Sequence, residues 1–339
     1  MHILSRITFT TALALPAAGI AQDGPKAVQV DPKIPAYVRT SGVAGNLNSI
    51  GSDTLNNLMT LWTEGFVKFY PSAKLQVEGK GSATAPPALI AGTAQLGPMS
   101  REMKNQEIDE FEKKVGYKPT QVRVAVDALA VYVHKDNPLA KLTLPEVDAI
   151  FSKARKGGLV QDVIEWGTLG LAGEWAGKPI RLYGRNSASG TYGYFKEHAL
   201  YKGDFKDTVK EQPGSAAVVQ SITEDLHGIG YSGIGYRTSG VRPLQLAKKA
   251  GDAYYGVEED IVYAGKYPLA RYLYIYVNKA PGKTLDPLVA EFLNFVLSAE
   301  GQQIVIKDGY LPLRSKHVTE EQAKLSAKPK ATDAGHSKG

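Results

Sequence analysis

The 339-residue chain is 43% apolar with a formal net charge of +6, long enough for two cores and with a modest basic excess that suits an anionic ligand. Its lack of cysteine excludes disulfides, a lipidated cysteine anchor and the usual cysteine-containing zinc clusters. Scattered rather than striped basic residues argue against a nucleic-acid surface, and no stretch beyond residue 21 reaches the roughly eighteen apolar residues of a membrane span.

Residues 1–21 read as a secretory signal peptide. Arg6 precedes a short apolar run, Ile7 to Leu15, and Gly19 and Ala21 occupy the small-residue positions of a cleavage site. Removal of this segment leaves about 318 residues in a periplasm-like compartment. Residues 22–42 form a Pro-rich polar arm without helical or strand period. The spacing of Leu55, Leu58, Trp62, Phe66 and Phe69 predicts an amphipathic helix ended by Pro71. Lys74–Glu78 alternates like a strand, Pro86 and Pro87 open a short helix closed by Gly92, and 95–97 is a short strand. A charged helix over 102–115 ends at Gly116, and 122–133 is an apolar strand. Thr143 caps the next helix, with Val147, Ile150 and Phe151 inward. Then follow a strand at 179–183, helices at 192–201 and 216–225, and strands at 228–233 and 270–277. A helix at 288–297 and another starting near Gly301 precede a tail, 326–339, expected to be flexible.

This alternation implies α/β lobes with largely parallel sheets. The apolar strands 122–133 and 271–277 bracket the second unit and are the natural crossings between lobes. Lobe one is therefore expected at 43–127 plus 272–325, and lobe two at 128–271.

Four segments place glycine or small hydroxyl residues where a helix begins: 51–55 (Gly-Ser-Asp-Thr-Leu), 79–84 (Gly-Lys-Gly-Ser-Ala-Thr), 97–101 (Gly-Pro-Met-Ser-Arg) and 185–191 (Arg-Asn-Ser-Ala-Ser-Gly-Thr). A helix start has unpaired N–H groups and the positive end of the macrodipole, so it can cradle an oxyanion. Each segment alone is explained by ordinary capping. Together they would make a cage of neutral donors, to which Arg185 adds a fork of N–H groups matched to an oxyanion.

The 185–191 segment, the 51–55 loop and the 79–82 loop resemble those of the PstS-type phosphate-binding proteins of bacterial ABC importers. The stretches 142–151, 228–231 and 292–313 (with Ser-Ala-Glu-Gly-Gln-Gln and Gly-Tyr-Leu-Pro-Leu) extend the resemblance over about residues 45 to 315. It implies a two-lobed α/β periplasmic binding-protein fold of type II, with lobes joined by two crossing strands. It also implies a monomeric binding protein, without enzymatic activity, cofactor or metal, that serves a membrane permease. The ligand set it implies is Thr54, Leu55, Ser82 and Ser100 on one lobe, and Arg185, Ser189, Gly190 and Thr191 on the other. Ser52, Asp53, Arg101 and Ser187 are supporting candidates.

One position departs from the family pattern. Where well-known members carry an aspartate that accepts the proton of phosphate and so rejects sulfate, this chain has Ser100, with Asp53 and Asp127 as the nearest alternative acids. A hydroxyl can donate or accept, so sulfate, arsenate, molybdate or a phosphonate remains an alternative ligand. Ser187 also stands where the family often has an acid that steadies the arginine. A periplasmic serine hydrolase or phosphatase is a second class, but no Gly-x-Ser-x-Gly elbow is present. The six histidines show no metal-ligand spacing, and His198 and His227 read as surface residues.

Overall fold

The computed structural model describes residues 27–326. The signal peptide read at 1–21, and all of the tail beyond Ser326, lie outside the described residues.

The chain enters through β1 (Gly45–Ile50), crosses back in α1 (Asn56–Phe69) and pairs β2 (Ala73–Glu78) parallel to β1. The apolar stripe of α1 buries Leu58, Trp62 and Phe66, and Phe66 meets the rings of Phe292 and Phe295 at centroid distances of 5.4 and 5.8 Å. Burying one such ring stabilises the fold by about 1.5–3 kcal/mol. α2 (Ala85–Ile90), β3 (Gly97–Met99) and α3 (Asn105–Val115) follow, the last ending at Gly116 with φ +90°. That left-handed turn is one glycine adopts without strain.

β4 (Thr120–His134) is the longest strand and serves two neighbourhoods. Its first part, Thr120 to Ala128, pairs with β11 (Ala270–Val277) and its second, Leu129 to Val133, with β8 (Gly228–Gly233). Between them the chain forms β5 (Lys141–Thr143), α4 (Leu144–Phe151), β6 (Arg181–Arg185), α5 (Gly190–His198), β7 (Lys210–Gln212) and α6 (Ser215–Thr223). After β8 come β9 (Val241–Pro243), β10 (Gln245–Ala247) and α7 (Glu259–Tyr263), and after β11 come α8 (Pro287–Val296), α9 (Ala299–Lys307) and α10 (Ser315–Leu325). The main sheet runs β3-β11-β4-β8-β6-β7, with β9 also on β4.

Several expectations shift. The main sheet is mixed: β4 runs antiparallel to β11, β8 and β9, whereas β6 pairs parallel with β7 and β8; the two-stranded sheets β1–β2 and β5–β10 are parallel. Hydrophobic periodicity reports burial but not the direction of a partner strand, so the parallel expectation had no local basis at β4. β1 lies ahead of the first predicted element because Asn46 and Asn48 break its apolar signal. The charged helix begins at Asn105 rather than Glu102, since the Glu107 carboxylate accepts the Lys104 N–H at 2.8 Å and closes the first turn there. α10 was not foreseen. Its acids Glu320 and Glu321 pair with Arg123 of β4, and Asp31 accepts the Ser315 N–H at 2.9 Å.

Candidate functional site

All four glycine- and hydroxyl-bearing segments sit at the carboxyl ends of strands, where the chain turns toward a helix. Ser52 caps the 3-10 turn 53–55 that leads into α1, Ser82 opens the turn 82–84 that leads into α2, Ser100 follows β3, and Ser189 caps α5 after β6. In α/β folds this end of the strands is where ligands bind.

The segments meet. Thr54 Oγ1 lies 2.7 Å from Thr191 Oγ1, and Ser100 Oγ lies 3.4 Å from Ser82 Oγ and 3.5 Å from Thr191 Oγ1. Ser52 Oγ donates to Ser100 Oγ at 2.9 Å. Two glycines permit this approach. A Cβ on Gly190 would fall 2.2 Å from Ser82 Oγ and 2.6 Å from Ser100 Oγ. Gly81, at φ +117°, lets its loop press against Ala188, whose carbonyl accepts the Ala83 N–H at 3.1 Å.

Arg185 ends β6 and is 2% exposed. Its Nη1 donates to Ser215 Oγ at 2.6 Å and lies 3.0 Å from Asp53 Oδ2, which also accepts the Ser215 N–H at 2.8 Å. Burial lowers the guanidinium's pKa, and Asp53 opposes that shift. Arg185 Nε is buried with no hydrogen-bond partner among the described residues. Buried donors are nearly always satisfied, so an orphan on a guanidinium marks a place for an acceptor.

The structure thus brings together Thr54, Ser82, Ser100, Gly190 and Thr191, with Ser52 behind Ser100 and the Asp53–Arg185 pair beside Thr54. Two residues already have local partners. Ser189 Oγ accepts the N–H groups of Thr191 and Tyr192 at 3.1 and 3.4 Å, and the Leu55 N–H donates to Ser52 O at 3.2 Å. Arg101 is turned to Glu107, which it grips with two bonds of 2.7 Å, and Ser187 is exposed and joins none of these contacts. The acid that steadies Arg185 is therefore Asp53, from the 51–55 loop, and not a neighbour at position 187. Asp127 lies in strand β4 rather than in a loop, with both oxygens used: Oδ2 by Arg271 and Oδ1 by the Ile234 N–H at 2.9 Å. Neither Asp53 nor Asp127 hydrogen-bonds a hydroxyl of the cluster.

Sequence reasoning missed Arg271. It is buried on β11, in register with Asp127, and donates to Thr191 Oγ1 at 3.0 Å and to Ser100 O at 2.8 Å. The signal was available, because an arginine and an aspartate each interrupt one of the long apolar strands, and a buried charge requires a partner. Also unanticipated were Tyr236 and Tyr310, whose hydroxyls donate to the carbonyls of Asp53 and Thr54 at 2.9 and 2.8 Å. No cluster of metal-binding side chains occurs among the described residues.

Comparison with known proteins agrees with this architecture. Residues 38–300 match the PBP superfamily domain. The phosphate-binding protein PstS of Pseudomonas aeruginosa PAO1 is 59% identical over 305 residues, 90% of this chain and 94% of that protein. Among solved structures, a phosphate ABC transporter substrate-binding protein from Clostridium perfringens, with bound phosphate, superposes with a TM-score of 0.67 at 22% identity, covering 80% of this chain and all of that one. An ABC-type phosphate transport receptor from Vibrio cholerae gives a TM-score of 0.60 at 20% identity over 79% of this chain and all of that one, and these two likenesses speak to the fold. With its identity to the Pseudomonas protein spanning nearly its whole length, this chain belongs to the PstS family of phosphate-binding proteins within the PBP superfamily.

Proposed function

We propose that this chain captures inorganic phosphate between two lobes and delivers it to a membrane-embedded ABC permease, as a binding protein and not an enzyme. The observation that carries the reading is Arg185, a buried guanidinium whose Nε has no partner, beside a cluster of neutral hydroxyls. A buried donor left unsatisfied costs about 1–3 kcal/mol, and an oxyanion bound there removes that cost. The relative at 59% identity is named for binding the same anion.

In this reading Thr54, Leu55, Ser82 and Ser100 act from lobe one (43–127 plus 272–325), and Arg185, Ser189, Gly190 and Thr191 from lobe two (128–271). The anion bridges the lobes, and the closed form is what the permease meets. Export through a cleaved signal peptide at 1–21 and a monomeric state belong to the same proposal. The cluster hydroxyls are bonded to one another, to backbone N–H groups and to Arg271. That arrangement suits holding an anion and supplies no base to activate a nucleophile.

Calorimetric titration of ligand-stripped protein with phosphate, sulfate, arsenate, molybdate and phosphonates tests the reading. Phosphate should bind with 1:1 stoichiometry and shrink the radius of gyration in small-angle scattering. Absence of phosphate binding would remove the proposal, and tight binding with an unchanged radius would remove closure from it.

A further inference from the structure

Arg271 does not resemble the other groups of the site. Every nitrogen of its guanidinium has a protein partner: Nε donates to Asp127 Oδ2 at 2.9 Å, Nη2 lies 2.7 Å from the same oxygen, Nη1 donates to Ser100 O at 2.8 Å, and Nη2 donates to Thr191 Oγ1 at 3.0 Å. The Tyr194 ring covers it at 5.3 Å. These contacts use four of the five N–H groups and leave one on Nη1.

The bond to Thr191 has a directional consequence. A hydroxyl has one proton and two lone pairs, and a guanidinium can only donate. Arg271 therefore occupies a lone pair of Thr191, and the Thr191 proton must point elsewhere. Backbone N–H groups do the same for neighbouring hydroxyls: Ser100 N donates to Ser82 Oγ at 3.0 Å, Thr54 N to Ser52 Oγ at 3.2 Å, and Thr191 N to Ser189 Oγ at 3.1 Å. Ser100 Oγ accepts from the Ser52 hydroxyl, and Thr191 from a charged side chain.

That side chain comes from a crossing strand. Ser100 follows β3, which pairs with the far part of β11, whereas α5, which carries Thr191, follows β6 and packs with the β8 side of the sheet. A guanidinium bonded to both Ser100 O and Thr191 Oγ1 spans the cleft, and both bonds exist together only when its two sides are in contact. The ion pair with Asp127, whose other oxygen holds Ile234 N, fixes the guanidinium in place.

We propose that Arg271 is a positioning residue: it turns the Thr191 hydroxyl into a donor aimed at the bound anion, and it ties that orientation to closure of the lobes. The proposal rests on the phosphate-binding reading above. If Arg271 acts through Thr191, removing either should weaken binding, and removing both should weaken it little further.

The test is a double-mutant cycle on phosphate affinity by calorimetry, with melting followed by circular dichroism. Arg271→Gln and Thr191→Val should each weaken binding by about 10–100-fold, the range of a charge-assisted hydrogen bond. The double variant should lie within about 3-fold of the weaker single one. Losses that multiply would overturn the proposal, because a merely structural Arg271 would act independently of Thr191. Since Arg271→Gln leaves Asp127 buried and unpaired, Asp127→Asn/Arg271→Gln is the companion variant. It should melt closer to wild type than the single variant does, yet still bind about 10–100-fold more weakly. Wild-type affinity in that variant would also overturn the proposal. A wild-type chain that takes no phosphate at all would instead remove the functional reading on which it rests.

Discussion

Two arginine–aspartate pairs lie within the same small volume and do different work. Arg271–Asp127 joins two neighbouring strands in register, both side chains are almost fully buried, and each side-chain nitrogen and oxygen of the pair has a partner. Arg185–Asp53 joins segments distant in sequence, the Asp53 side chain is 20% exposed, and Arg185 Nε is left without a partner among the described residues. A satisfied pair contributes geometry, whereas an unsatisfied one has capacity for a ligand. Burial of charge alone therefore does not identify a binding residue; the hydrogen-bond accounting does.

The largest effect should come from the unsatisfied pair. Arg185→Ala is expected to weaken phosphate binding by about 3–5 kcal/mol, since the enclosed anion loses its charged partner. A titration giving an affinity within a factor of two of wild type would show that the site has been misplaced. For the satisfied pair the expected loss is in stability. Asp127→Ala leaves the Arg271 guanidinium uncompensated and should lower the unfolding free energy by about 3–5 kcal/mol in denaturant titration. Asp53→Ala should cost clearly less, since Asp53 is itself 20% exposed and its partner Arg185 retains Ser215. Equal costs for the two substitutions would erase the distinction between the pairs.

Selectivity sharpens the contrast, because both acids are engaged by arginines and neither reaches the hydroxyl cluster. In the proposed site the group at the proton-accepting position is Ser100, which can donate as readily as accept. Sites that must bond a ligand's proton discriminate by about 10⁴–10⁵-fold against an analogue lacking it. Competition at neutral pH should show phosphate preferred over sulfate by less than that, and Ser100→Asp should widen the ratio. Exclusion of sulfate by five orders of magnitude in wild type would mean that another acceptor serves.

A third acid, Asp308 at the end of α9, has no cation partner among the described residues and supplies the smallest expected effect. Its Oδ2 is buried without a partner, and burial pushes its pKa from 3.8 up to about 7. The folded chain then holds a proton that the unfolded chain releases above pH 3.8. Asp308 is accordingly tolerated best at low pH, and stability is lost as pH rises toward about 7. Asp308→Asn should remove that loss, raising the melting temperature at neutral pH by a few degrees and leaving it little changed near pH 4. An identical pH dependence in the two proteins would show that the carboxylate is solvated.

Much of the architecture is legible in local residue patterns. The stripe of α1, the Thr143 cap on α4, the Gly116 stop and the extent of β8 follow from three- and four-residue spacings, capping chemistry and turn preferences. These interactions operate within one or two turns of chain, so a linear reading reaches them. The loops of the candidate site were legible for the same reason, because each is a strand-to-helix turn bearing glycine or a hydroxyl.

The tertiary structure decided what depends on which segments become neighbours. Strand direction around β4, the partner of Arg185, the turning of Arg101 to Glu107 and the exposure of Ser187 follow from contacts between distant parts of the chain. Arg271 and Asp127 are the sharpest case. Each is conspicuous as a charge within an apolar strand, yet only the register of β4 against β11 determines that they neutralise each other. By itself the sequence determined that these two charges would be buried and in need of partners. Which partners they found, and that Thr191 and Ser100 would share them, was decided by packing, because a buried charge is satisfied by whatever group the fold brings within hydrogen-bond reach.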